Sequence, residues 1–161
     1  MKKLLVDIEK PEDMNVIVGQ THFIKTVEDV YEALITSVPG IEFGFAFCEA
    51  SGKRLVRHCG TEEKLEELAI RNAENIACGH SFVLMLGNVF PINIMKSLKS
   101  VDEILCIYAA TANPLKVIVL EEGQQRGIIG VLDGKVPAGV EGKEDIKERK
   151  QFLRKIGYKI K

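Results

Sequence analysis

Three short runs carry apolar side chains almost without interruption and end at turn residues: Phe43-Gly44-Phe45-Ala46-Phe47-Cys48, Ser81 to Leu86, and Glu103 to Ala109. Runs of this length read as strands covered on both faces. Between them the period becomes helical. Val27, Val30, Tyr31, Leu34, Ile35 and Val38 recur on one helical face, and so do Leu65, Leu68, Ala69, Asn72, Ala73 and Ile76. Strands buried on both faces and alternating with amphipathic helices point to an α/β architecture. Hairpins are expected at the two ends. Lys3 to Glu9 and Met14 to Gln20 flank Lys10-Pro11-Glu12-Asp13, and Lys116 to Glu121 and Gly127 to Leu132 flank Glu122-Gly123-Gln124-Gln125-Arg126. The expected fold is an α/β single-domain mixed sheet with helices and terminal β-hairpins, one domain over residues 1–161.

Local signals punctuate this pattern. Thr26 is the expected N-cap of the first helix, with Asp29 three places on and Pro39-Gly40 as its stop. Thr61 is the expected cap of the second helix and Gly79 its C-terminal glycine. Pro91 suits the first turn of a short helix ending near Ser100. Asp145 to Ile156 reads as a charged C-terminal helix with Ile146, Phe152, Leu153 and Ile156 inward.

Charge excludes several function classes. Lys and Arg total 22 against 23 Asp and Glu, so the chain lacks the positive field of a duplex-binding protein and no nucleic-acid partner is expected. No apolar run is long enough to span a bilayer, so no membrane partner is expected either. Met1 to Val6 begins like a signal peptide, but Asp7 and Glu9 cut it short, and the expected location is cytoplasmic. Cys48, Cys59, Cys78 and Cys106 contain no CxxC pair and read as free structural thiols. There is no HxxxH or HExxH pair, no phosphate loop of the GxxxxGK[ST] type and no G-x-S-x-G elbow. No metal and no cofactor is identified, and the sequence leaves a phosphoryl donor unnamed.

Polar residues placed on the elements give a better signal. In α/β sheets ligands bind beyond the carboxyl ends of the strands, beside helix N-termini. Four segments follow apolar strands: Gly19-Gln20-Thr21-His22, Glu49-Ala50-Ser51-Gly52, the stretch from Gly87 through Asn88, Phe90, Pro91 and Asn93, and the stretch from Ala110 through Thr111 and Asn113. If those strands run parallel, all four meet on one rim, with Lys25 at a helix start. Helix amides favour phosphate there, and Phe90 can stack on a base. Of the three histidines, His22 falls on this rim and His58 ends a short strand. His80 lies at the far end of its strand if that strand is parallel, and on the rim if it is antiparallel. Imidazole can take a phosphoryl group near neutral pH. Glu49, in an apolar stretch, is a candidate base of raised pKa.

The same segments resemble a known family. The matching runs are Gly19 to Asp29, Phe43 to Gly52 with Leu55-Val56-Arg57, Gly79-His80-Ser81-Phe82, Phe90-Pro91-Ile92-Asn93, Ala109 to Val117, Arg126-Gly127 with Gly130-Val131, and Arg154 to Tyr158. They are similar to the adenosine-specific kinase family over nearly the whole chain. The resemblance implies an α/β domain, a homotrimer, binding of adenosine or AMP, and a histidine that carries a phosphoryl group. It does not say which histidine. The first functional expectation is therefore an adenosine/AMP-binding phosphotransferase acting through His22 or His80, with Glu49 as base. The second is of another class: a noncatalytic AMP-binding sensor or storage module.

Overall fold

The computed structural model of the protein describes residues 1–160. In chain order the elements are β1 (Lys2–Asp7), β2 (Asn15–Thr21), α1 (Thr26–Ser37), β3 (Phe43–Cys48), β4 (Val56–Gly60) and α2 (Glu63–Ile76). There follow β5 (Ser81–Leu86), α3 (Pro91–Lys99), β6 (Ile104–Thr111), β7 (Leu115–Glu122), β8 (Gln125–Asp133) and α4 (Lys143–Lys155). Two sheets form, one of order β4-β3-β5-β2-β6 and a smaller one of order β1-β7-β8. All pairings in both sheets are antiparallel.

The α/β class and the helices agree with expectation. The larger sheet is a middle layer, and side-chain size decides what lies on each face. In β3 the odd-numbered positions are Phe43, Phe45 and Phe47, which pack with Val30 and Leu34 of α1 and Ile94 and Leu98 of α3. The even-numbered positions, Gly44, Ala46 and Cys48, are small because α2 lies against them. A Cβ built on Gly44 would sit 2.2 Å from the Leu65 carbonyl and the Glu66 nitrogen, so only glycine admits the helix there. The second core lies on this face, where Leu65, Leu68 and Ala69 of α2 and Val117 and Val119 of the smaller sheet cover Val16, Val18 and Val83.

Several local details differ from the sequence reading. β1 and β2 do not form a hairpin: β1 pairs with β7, and β2 lies between β5 and β6. The expected β7–β8 hairpin does form. Lys25, not Thr26, holds the cap position of α1, and the Thr26 hydroxyl bonds back to the carbonyls of His22 and Phe23 at 2.8 and 2.7 Å. Glu62 caps α2, accepting from Lys64 N–H, while Thr61 bridges Phe43 N–H and the Ile41 carbonyl. Ala77, with φ of 50°, takes the left-handed position expected of Gly79. α4 forms where expected but buries none of its residues; Phe152 and Ile156 face outward at 57% and 44% exposure.

Candidate functional site

Strand direction decides which residues meet. β2 and β3 point the same way, with β5 running against both between them. The carboxyl ends of β2 and β3 therefore share an edge with the amino end of β5. His22, Glu49, Ser51 and His80 come together at this edge and, with Phe23, Ile24, Phe47 and Ala50, line a cavity of about 360 Å³. The segments after β5 and β6 lie at the opposite edge, about 20 Å away for a six-residue strand. The single rim that parallel strands would have made is thus two edges.

His22 has a defined tautomer. Its Nδ1 lies 3.0 Å from the Glu103 carbonyl oxygen, which can only accept, so Nδ1 carries the proton and in the neutral ring Nε2 keeps its lone pair. The same carbonyl accepts from His22 N–H at 3.2 Å and the Thr21 hydroxyl at 2.9 Å. This fixes the end of β2 against the start of β6. The Glu103 side chain is buried, and its Oε1 accepts from Lys25 Nζ at 3.0 Å. Asp29 holds the same ammonium, and the two carboxylates push the Lys25 pKa up. Lys25 therefore ties α1 to the start of β6 through two carboxylates.

His80 is held through its backbone. Its N–H donates to the Cys48 carbonyl and its own carbonyl accepts from Thr21 N–H, both at 2.8 Å, so one residue ties together the ends of β3 and β2. It does so at φ of 64°, a left-handed conformation. Its ring stacks on Phe47 with centroids 6.1 Å apart. Phe23 also sits in the left-handed region, at φ of 71°, and leaves 59% of its surface exposed at the cavity. Strained residues of this kind gather at ligand sites.

Glu49 is not a base of raised pKa. The Leu55 N–H, and beside it the Arg57 guanidinium at 3.2 Å, hold its carboxyl below the usual range. A carboxylate so stabilised is a poor proton acceptor. Beyond Glu49 and Ala50 lies a cleft of about 700 Å³ that Lys53, Arg54 and Arg126 enter beside Glu74.

The remaining candidates make contacts within the fold. Gly19 is bare because a Cβ would lie 2.4 Å from the Cys106 carbonyl and 2.5 Å from the Phe82 ring. Thr21 is buried, and Gln20 accepts from Tyr108 at 3.4 Å. At the opposite edge, Asn88 bridges Glu42 N–H and the Gly40 carbonyl, and Asn93 accepts from Phe90 N–H just before Pro91 opens α3. Thr111 and Asn113 both donate to Asp133. Exposed Phe90 stands at that edge, away from the histidines. His58 pairs with Glu66 on the far side of β4. Sequence reasoning missed Phe23, Ile24, Phe47 and Glu103; the His22–Phe23–Ile24 run after an apolar strand was the one available signal.

A family model described as adenosine specific kinase matches residues 6–159. The chain belongs to the adenosine-specific kinase family. It is also similar to the crystal structure of the PH1918 protein from Pyrococcus horikoshii OT3, with 45% sequence identity, 99% of each chain covered and a TM-score of 0.94. No curated protein matches it. Among the described residues no helix is long and apolar enough to cross a membrane, and no group of three or more His, Cys, Asp or Glu side chains is placed to hold a metal ion.

Proposed function

We propose that this member of the adenosine-specific kinase family is a cytoplasmic, homotrimeric nucleoside phosphotransferase, its whole chain one adenosine/AMP-binding domain, and that adenosine or AMP binds in the cavity between His22 and His80. One observation carries the reading. Two imidazoles from different elements face one cavity, and the Nε2 lone pair of one is free. The His22 Nε2 attacks the phosphorus of the donor; the bond to the donor's leaving oxygen breaks, and that oxygen keeps the electron pair. The nucleoside hydroxyl then attacks the phosphoryl group, the N–P bond breaks and the imidazole is restored. His80 takes the hydroxyl proton. Phe23 supplies a face for the adenine, since bases stack on exposed aromatic rings whatever their identity. Ser51 lies within the cavity lining, and Glu49 sets the position of Arg57 rather than moving a proton. The free thiols suit a reducing compartment.

The test is transfer of labelled phosphoryl groups to the protein and then to adenosine, with peptide mapping under alkaline conditions. Label on His22, lost in His22→Asn, supports the reading. Label on His80 alone reverses the two roles. Adenosine binding with no label on any histidine favours a noncatalytic AMP-binding module. That second reading has its own support: the Lys25 ammonium is already neutralised by Asp29 and Glu103 and is withheld from a polyphosphate.

A further inference from the structure

Beyond Gly134, which still bonds to the Pro114 carbonyl, no described residue of the chain is buried. α4 carries an apolar stripe with Ile146, Phe152, Leu153 and Ile156, and none of its residues is buried. Val136 and Val140, in the segment that leads to it, are 88% and 97% exposed. An isolated helix of about 12–15 residues is marginal in water, so α4 needs a surface to lie on. The total surface makes the same point. The chain exposes 10179 Å². A compact monomer of this mass exposes about 8,000 Å². The excess is close to what two contacts of about 800–1,000 Å² per partner would cover.

A second face of the same chain also lacks a cover. In the smaller sheet Val117, Val119, Ile128 and Val131 face the core. The alternate positions point outward, and there Leu5, Ile129 and Leu132 are about half exposed, at 55%, 57% and 49%. Gly127 and Gly130 of β8 share that outward face, opposite Leu120 and Ile118. A Cβ on Gly127 would meet nothing, and one on Gly130 would reach only Ile118 Cδ1 at 3.9 Å. Neither glycine has a positive φ. Gly130 borders a bulge at Ile129, where Ile118 pairs with Gly130 and Val119 with Ile128, whereas neither turn, bulge nor packing inside the chain calls for glycine at Gly127. Glycine within a strand weakens it, and where no bulge or bend requires it, it marks a place where another backbone approaches closely. The two glycines open a furrow in an apolar floor, and the body that fills it comes from outside.

We propose that the outer face of the β1-β7-β8 sheet receives the C-terminal arm of a second copy, with α4 lying over the furrow at Gly127 and Gly130. Each copy gives one arm and receives one. The occupant is a second copy because the uncovered helix and the uncovered face belong to one chain, and the family match, which runs to residue 159, includes the arm in the domain. A contact between unlike surfaces is head-to-tail, and it closes into a ring when its rotation permits. The inference rests on the homo-oligomer proposed above and is independent of the nucleotide site.

The experiment uses the full chain at micromolar concentration in sedimentation velocity. Phe152→Asp damages the arm and leaves the face intact; Gly130→Val fills the furrow and leaves the arm intact. Both substitutions meet open space within their own chain, and circular dichroism should show wild-type folding. Wild type should sediment as an oligomer and each variant as a monomer. An equimolar mixture of the two variants should form a heterodimer, because the intact arm of one finds the intact face of the other. A monomeric wild type, variants that keep the wild-type mass, or a mixture that stays monomeric overturns the proposal. Phe152→Asp alone keeping the wild-type mass is what two like sheet faces packing together would give. Ile129→Asp, exposed on the same face, repeats the test if Gly130→Val does not fold. Adenosine titration of the monomeric variants reports on the nucleotide site separately.

Discussion

Replacing Phe23 by glycine should weaken ligand binding while leaving stability nearly unchanged. The residue holds φ of 71°, pinned by the Thr26 amide and hydroxyl on its carbonyl at 3.1 and 2.7 Å. A left-handed backbone costs an L-residue about 1–2 kcal/mol. Glycine avoids that cost but adds back about 0.5–1 kcal/mol through the freedom it gains in the unfolded chain. With Phe23 59% exposed, about two-fifths of it is buried, and losing that burial on truncation costs about 0.6–1.2 kcal/mol. The terms nearly cancel, leaving a net change within about 1 kcal/mol, or about 2–4 °C in Tm at most for a domain of this size. A lost stacking partner costs about 1–3 kcal/mol per base. That corresponds to a Kd roughly 5- to 150-fold weaker. Thermal unfolding without ligand reads the first quantity and calorimetric titration with adenosine the second. Phe23→Tyr, which keeps the ring, should bind as wild type does. A Tm lowered by well over about 4 °C with unchanged affinity would refute the reasoning, since it would make Phe23 a structural residue that merely happens to be exposed.

Three further outcomes follow from the packing and the buried groups. Gly44→Ala should cost at least about 3 kcal/mol in urea unfolding, beyond the usual range for overpacking, because its Cβ meets the α2 backbone at 2.2 Å rather than a yielding side chain; a loss under about 1 kcal/mol would mean that α2 moves freely. Asn72→Ala should cost about 2–3 kcal/mol, since the buried amide accepts from Glu9 N–H at 2.8 Å and donates to the Glu9 carbonyl at 2.7 Å, and both groups would lose their partner. Burial pushes the Cys59 thiol up to about 12 and the Cys78 thiol up to about 11. The unfolded chain ionises its thiols near about 8.5, and above that pH it sheds protons that the native state keeps. Stability should thus fall as the pH rises from about 9 toward the native values, and a Cys59→Ala variant should show a shallower fall; equal slopes would place the titrating group elsewhere.

Much of the candidate site was legible before any fold was known, though not its assembly. His22, Glu49 and Ser51 follow apolar strands, and their placement at a strand end needed only the pattern. His80 entered through an open condition, the direction of its strand, and the antiparallel course of β5 resolved it. The Asn and Thr side chains at the other edge have the same composition as binding residues. Only their partners, Gly40, Glu42, Phe90 and Asp133, show them holding turns. Glu49 illustrates the same limit: an apolar neighbourhood argued for a raised pKa, and the Leu55 N–H, with the Arg57 guanidinium returning across the β3–β4 turn, reversed the sign.

The amino-acid sequence by itself determined which segments are strands and which are helices. The reason is local: apolar period, small residues such as Gly44 and Ala46 where a helix must approach, and Pro91 at a first turn act within a few positions of themselves. The direction of each strand was decided only by the tertiary structure. A strand buried on both faces presents the same apolar run whichever way it points, so nothing in Ser81 to Leu86 encodes that it opposes its two neighbours. The direction follows from which connections reach and which faces close, and these are properties of the whole chain. The stripe on α4 marks the boundary between the two kinds of information: its period is written in residues 143–155, and the surface that it answers to is not written in that segment at all.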